Sequence, residues 1–135
     1  YGVDVQAAAG SSHDWTQWFL DKPPNLNSAL NLEVAATEFK CQGLELDRTA
    51  VCWSWDLVLD DNGWTTRRVD KRRGQWSRNE SRRDYAINAY RVLLTRSRYG
   101  MVIWVPRGST DQVAMRPAEM DRVAEVLVQS GASPI

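Results

Sequence analysis

Two arginines stand close together in Thr95-Arg96-Ser97-Arg98, between the apolar residues Val92 to Leu94 and a second apolar run, Met101 to Val105. A guanidinium is a permanent cation with a fixed fork of donors, suited to anionic oxygens. Spacing alone allows a plainer role, in which both cations complement the carbonyls at a helix C-terminus for about 0.3–1 kcal/mol. A second cationic feature lies further upstream. Arg67, Arg68, Lys71, Arg72, Arg73, Arg78, Arg82 and Arg83 stand against only Asp70 and Glu80, with Trp64 and Trp76 flanking and interrupting the run. Such a segment is either a solvated face or a track for single-stranded nucleic acid, with cations on phosphates and aromatics on bases. Other chemistries find no support. His13 is the sole histidine and has no acid or thiol set near it, so it reads as a loop residue. Cys41 and Cys52 have neither metal nor redox spacing and read as reduced core thiols. No Ser-His-Asp or Cys-His arrangement, catalytic carboxylate pair or metal site is visible.

The frame around these groups is ordinary. The chain has 135 residues, 43% apolar and 25% charged, enough for one domain with a real core. Its net charge is zero, so the excess of cations over 67–83 is balanced by acids elsewhere. That asymmetry hints at an anionic partner. No stretch approaches the roughly 18 apolar residues of a membrane span, and no secretory leader is visible. The expected compartment is the cytoplasm. Position 1 is Tyr, which suggests a processed product or a piece of something longer.

Local signals then place the elements. Asp14 caps a helix over Trp15 to Leu20, ended by Pro23-Pro24. Alternation predicts a strand over 31–37, and 41–46 is a short turn or helix. Thr49 to Trp55 reads as a buried strand continuing to Leu59. Asp60-Asp61-Asn62-Gly63 marks a hairpin, with a returning arm Trp64 to Val69. Ser81 and Asp84 resemble a helix N-terminal box, followed by a helix from about Arg82 to Ser97 with Ala86, Tyr90, Leu93, Leu94 and Ser97 on one face. Gly100 is a plausible helix stop. Met101 to Val105 reads as a strand covered on both faces, and Trp53, Trp55 and Trp104 as packing residues. A last helix fits Pro117 to Ser130, with Gly131 ending it. The order predicts an α/β fold, a mostly parallel sheet flanked by helices, with a β-hairpin and basic insertion over 60–83 in a single domain. Ligands of such sheets bind at strand carboxyl ends and adjoining loops.

Three segments resemble a known family. Thr37-Glu38-Phe39-Lys40-Cys41-Gln42-Gly43-Leu44-Glu45-Leu46-Asp47 is similar to motif V of superfamily 1 helicases, a Thr-x-His-x-x-x-Gly-Leu-Glu pattern, and the strand Val51 to Trp55 follows as it does there. Asn88 to Gly100 is similar to motif VI, with its Leu-Thr-Arg-x-Arg core. Together they resemble the Schlafen-type DNA/RNA helicase-like family over about residues 1–107, most strongly over 32–57 and 85–105.

The resemblance implies a second, RecA-like domain of a P-loop NTPase, which meets a first domain across an ATP site. It implies that Arg96 is an arginine finger, with Arg98 a second contact or a support. Glu45 would meet the ribose, Gln42 and Gly43 would shape the cleft loop, and Thr37 would face the nucleic-acid backbone. Arg67, Arg68, Lys71, Arg72 and Arg73 are the further nucleic-acid candidates. Phe39 stands where many relatives carry His. Nothing matches G-x-x-x-x-G-K-[ST], and no acidic metal-binding motif follows an apolar strand. ATP with Mg therefore belongs to the full-length context, and no cofactor is expected on the isolated chain, which should not hydrolyse ATP. The expected partners are an N-terminal RecA-like domain, DNA or RNA, and through an uncovered face another copy of the chain, but not a membrane. The rival reading is a non-enzymatic nucleic-acid-binding or protein-interaction module that kept the fold.

Overall fold

The computed structural model describes residues 14–25, 28–70, 75–110 and 115–135. The chain divides into two compact units, Tyr1–Leu44 and Glu45–Ile135. His13 lies outside the described residues.

In the first unit, helix α1 (Trp15–Leu20) starts where the sequence predicts. Asp14 Oδ1 accepts from the Thr16 and Gln17 amides at 3.0 and 3.1 Å, satisfying two of the donors a helix start leaves open. Trp18 is buried, and its indole N–H donates to Val34 O at 3.2 Å. The strand expected over 31–37 does not form. A 3-10 turn, Ala29–Asn31, stands at its start, capped by Ser28, and Leu32 takes the left-handed region at φ 56°. Ser28 Oγ also donates to Asp21 O at 2.6 Å, and Asn31 Nδ2 to Asn25 O at 2.9 Å. These side chains satisfy the backbone locally and compete with a strand. Residues 38–44 resolve into a single helical turn, α2 (Glu38–Cys41), followed by a bend in which Gly43 has φ 83°.

Among the described residues the second unit has five strands: β1 (Leu46–Cys52), β2 (Leu57–Asp60), β3 (Gly63–Asp70), β4 (Gln75–Arg78) and β5 (Ser97–Trp104). Its two helices are α3 (Arg83–Leu94) and α4 (Pro117–Gln129). The α/β class is as expected, but the sheet is not mostly parallel. β1 pairs with β5 in parallel, while β2, β3 and β4 form a separate antiparallel meander. The single strand expected from Thr49 to Leu59 is two strands in two sheets. Residues 53–56 turn the chain, and the turn is held by a partner distant in sequence. Tyr90 Oη accepts from the Ser54 amide and donates to Asp56 Oδ1, both at 2.9 Å. Its ring stacks on Trp53 at 4.0 Å, and the Trp53 indole N–H donates to Leu57 O at 2.8 Å. The core gathers here, from Trp53, Trp55, Leu57, Val58, Ala86, Tyr90, Met120 and Val123.

The hairpin at 60–63 forms, with the positive φ taken by Gly63 at 96° and not by Asn62. Asp60 fastens it, accepting from the Asn62 amide and the Thr65 hydroxyl, each at 2.8 Å. Burial alone would raise the Asp60 pKa. The Asn62 and Thr65 hydrogen bonds and the fields of Arg78 and Arg67 outweigh it, so the carboxyl lies below its ordinary 3.8. A depressed folded-state pKa adds stability that is complete above the unfolded value and fades as pH falls through the folded one. Urea midpoints of the wild type should therefore drop, relative to those of Asp60→Asn, as pH descends through 3.8 and below. A constant difference between the two proteins would refute this.

Part of the expected basic loop is ordered strand, because β4 pairs Arg78 with Arg67 and Ser77 with Arg68. Helix α3 begins at Arg83, after a 3-10 turn Glu80–Arg82, and ends at Leu94. The Ser81/Asp84 box is absent. Ser81 Oγ donates to Asn79 Oδ1 at 2.8 Å instead of capping. Ser97 and Gly100 belong to β5, so Gly100 ends no helix and Ser97 is on no helix face. β5 is not covered on both faces. Val51 and Ile103 face the core, while Val102 and Trp104 are 51% and 58% exposed opposite Ala50 and Cys52. The two-stranded sheet meets the core on one side only, so Trp104 and Cys52 are surface residues, and only Cys41 is a buried thiol. Helix α4 follows its sequence signals, with Pro117 in the first turn and Gly131 at φ 107° after the last.

Candidate functional site

The junction of α3 and β5 fixes residue 96 from both sides. Its amide donates to Leu93 O at 3.4 Å, and its carbonyl accepts from the Leu46 amide at 2.9 Å, the first rung between β1 and β5. Thr95 closes the helix, its hydroxyl donating to Arg91 O at 2.8 Å. The Arg96 side chain is half-buried against this end. Nε donates to Val92 O at 3.0 Å, and Nη2 to Thr95 Oγ1 at 3.3 Å. This is the helix-complementing arrangement that spacing alone allows.

Parallel pairing of β1 with β5 brings Glu45 and Arg98 together. Arg98 Nε lies 4.0 Å from Glu45 Oε2, with the side chains 55% and 77% exposed. Arg98 also lies over the Tyr99 ring, 5.7 Å from its centroid. Glu45, Arg96 and Arg98 thus gather at the amino ends of the parallel strands. That is the opposite end from the one where an open α/β sheet binds its own ligands. The reason is local: Arg96 leaves a helix and enters a strand, and Glu45 precedes the strand beside it.

Thr37, Gln42 and Gly43 belong to the first unit. Thr37 precedes α2, and its carbonyl accepts from the Lys40 and Cys41 amides at 2.9 and 3.1 Å. Its hydroxyl makes no capping bond. Gln42 and Gly43 are exposed in the bend after α2, and Phe39 is 64% exposed.

The basic segment separates into groups with different work. Arg67 points inward and pairs with Glu119 of α4 at 2.6 Å, with side-chain exposures of 12% and 9%. It is a core ion pair, and a phosphate could reach it only by breaking that pair. Glu119 Oε2 is buried and has no hydrogen-bond partner among the described residues. Arg68 is exposed on the other face of β3. Arg78 pairs with Glu80, and both are about half exposed. Lys71, Arg72 and Arg73 lie outside the described residues. Sequence reasoning gave no role to Glu119, because an acid in the first turn of a helix is the usual surface choice. The signal available was its place beside Met120 at the start of the apolar stripe.

Among the described residues no group of three or more His, Cys, Asp or Glu could hold a metal, and no helix is long and apolar enough to cross a membrane. A family model for the Schlafen group 3, DNA/RNA helicase domain matches residues 3–107. Neither the curated proteins nor the solved structures contain a match.

Proposed function

Because the chain belongs to the Schlafen group 3 DNA/RNA helicase domain family, we propose that it is the RecA-like half of a nucleic-acid-dependent ATPase that supplies the arginine finger. The observation that supports this is the mounting of Arg96. Its backbone is tied to the end of α3 and to the first rung of β1–β5, and Glu45 and Arg98 lie at the same strand ends. A guanidinium on such a mount suits a group held by a neighbouring domain better than one held by its own sheet. The residues fit a nucleotide in part. Arg96 and Arg98 are cations for phosphate oxygens, and Glu45 is an exposed acceptor for ribose hydroxyls.

ATP with Mg would supply the transferable phosphoryl group. The work of this chain is electrostatic: Arg96 neutralises charge that develops on the terminal phosphate oxygens, a contribution worth about 10³-fold or more in rate. To do so its side chain leaves Val92 O, while the backbone of residue 96 stays in place. The sequence lacks G-x-x-x-x-G-K-[ST], so the phosphate grip must come from a partner domain. The same lack favours the second reading, a binding module without turnover. ATP hydrolysis separates the two, measured on a protein that joins this chain to a domain bearing a phosphate loop. Turnover that depends on Arg96 supports the finger, and turnover indifferent to Arg96→Ala removes it.

Nucleic-acid contact by the segment between β3 and β4 has its own test. Each phosphate neutralised on a single strand contributes about 0.7 to the slope of log affinity against log salt. Replacing Arg72 and Arg73 by Ala should therefore lower that slope by about 1.4. Titrations of a labelled single strand at several salt concentrations check it, and an unchanged slope would remove Arg72 and Arg73 from the contact.

A further inference from the structure

The outer face of the β1–β5 sheet carries apolar groups that neither the finger nor the basic segment uses. Residues that share a register in a parallel pair point to the same side. Arg48 stands beside Gly100, Ala50 beside Val102, and Cys52 beside Trp104. All six are exposed, while Val51 between them is buried. Parallel strands are ordinarily covered on both faces. Here one face meets the core and the other meets solvent.

Each row of this face joins one large side chain to one small one: Arg48 with Gly100, Val102 with Ala50, Trp104 with Cys52. Trp104 and Val102 form a ridge along β5, and Ala50 and Cys52 form a trough along β1. Over Gly100 the space is open. Its chain neighbours aside, no described atom lies within 4 Å of where a Cβ would stand. Now set two such sheets face to face, with a twofold axis between them parallel to the strands. β5 of one copy then lies over β1 of the other, in the same direction. Large meets small in every row, with Trp104 on Cys52, Val102 on Ala50 and Arg48 on Gly100, each twice. Such self-complementarity is what a twofold interface requires. Strands lie about 4.8 Å apart within a sheet and packed sheets about 10 Å apart, which places the two Arg48 residues about 11 Å from each other on the diagonal. At that distance salt screens their repulsion.

We propose that this face is an interface between two copies of the chain, packed sheet on sheet about a twofold axis along the strands. The pairing depends on neither the finger nor nucleic-acid contact. Strands of seven and eight residues offer a few hundred Å² per copy, against about 800 Å² in a standard interface. The dimer is therefore weak, with a dissociation constant between about 10 μM and 1 mM.

Sedimentation equilibrium of the chain, up to about 1 mM, tests this. The mean mass should rise with concentration and fit an equilibrium between one chain and two. Cys52 gives a second readout, because its thiol is exposed while that of Cys41 is buried. Maleimide labelling of Cys52 should slow as the dimer fills, since Trp104 of the other copy covers it. Trp104→Ala removes the largest group of the ridge and should weaken pairing by about 30-fold or more. Ala50→Val sets Val on Val and should weaken pairing too. The Ala50→Val, Val102→Ala double variant exchanges large and small within one row, so it should pair as the wild type does. These positions are exposed, and if a variant still fails to fold, the mass and the Cys52 labelling of the wild type decide the matter. A single-chain mass at every concentration would overturn the interface and leave the face to a different partner. Growth past two chains, Cys52 labelling indifferent to concentration, or full pairing in Trp104→Ala would each overturn it as well.

Discussion

Arg96→Ala, in a protein that joins this chain to a phosphate-loop domain, is expected to lower kcat for ATP by about 10³-fold with KM changed little. The two parameters should separate because an arginine finger acts on charge that exists only in the transition state. Arg96→Lys should recover little of the loss, since an ammonium lacks the planar fork. A structural origin for the effect can be told apart by size. In the free chain the side chain gives the end of α3 a hydrogen bond at Val92 O, and such a bond contributes about 1 kcal/mol to stability. A 10³-fold rate loss corresponds to about 4 kcal/mol of activation free energy. Urea unfolding of Arg96→Ala should thus show a small shift in midpoint beside a large loss of turnover. If kcat falls only as far as the folded fraction does, Arg96 is a helix cap and the finger reading fails. The helix cap and the finger are compatible in one residue. In the proposed finger role, an anion would have to outcompete the Val92 carbonyl for the guanidinium.

What could be read from the sequence was what short-range chemistry decides. Asp14 before Trp15, Pro117 at the first turn of α4, Gly131 after its last turn and Gly63 in the hairpin each act on neighbours within a few residues, and each does so in the structure. The failures come from partners that a segment's own pattern does not show, some of them far away in the chain. Residues 49–59 alternate and branch like one strand, but Tyr90 holds Ser54 and Asp56 and divides them between two sheets. Residues 31–37 alternate too, yet Ser28 and Asn31 tie the preceding turn to Asp21 and Asn25. Gly100 looked like a helix stop because the sequence does not reveal that Leu46 already holds residue 96 in a strand register. The candidate site fared likewise. Motif resemblance pointed to Glu45, Arg96 and Arg98, and their meeting at the strand amino ends followed only from the pairing of β1 with β5. The basic segment gave the least. Eight cations in one stretch read as one surface, whereas pairing with β4 and contact with α4 send Arg67 inward and leave Arg68 outside.

That division makes Arg67→Met the second large effect, on stability instead of turnover. Removing one partner of a buried ion pair leaves the other charge unpaired, at a cost of about 3–5 kcal/mol. Here the charge left behind is Glu119, whose Oε2 already lacks a hydrogen bond and whose side chain is 9% exposed. For a unit of this size the loss should lower Tm by roughly 12–40 °C, or leave the chain unfolded at ordinary temperature. The double variant Arg67→Met, Glu119→Leu should recover most of it, because apolar replacements of a buried pair are often neutral or stabilising. Thermal melts followed by far-UV circular dichroism check both. Recovery in the double variant also decides what Arg67 is for. A folded protein without the pair should bind single strands with the wild-type salt slope, since no phosphate contact was removed. A slope lowered by about 0.7 would mean that Arg67 leaves Glu119 to meet nucleic acid, and that the ion pair is a resting state of a binding residue.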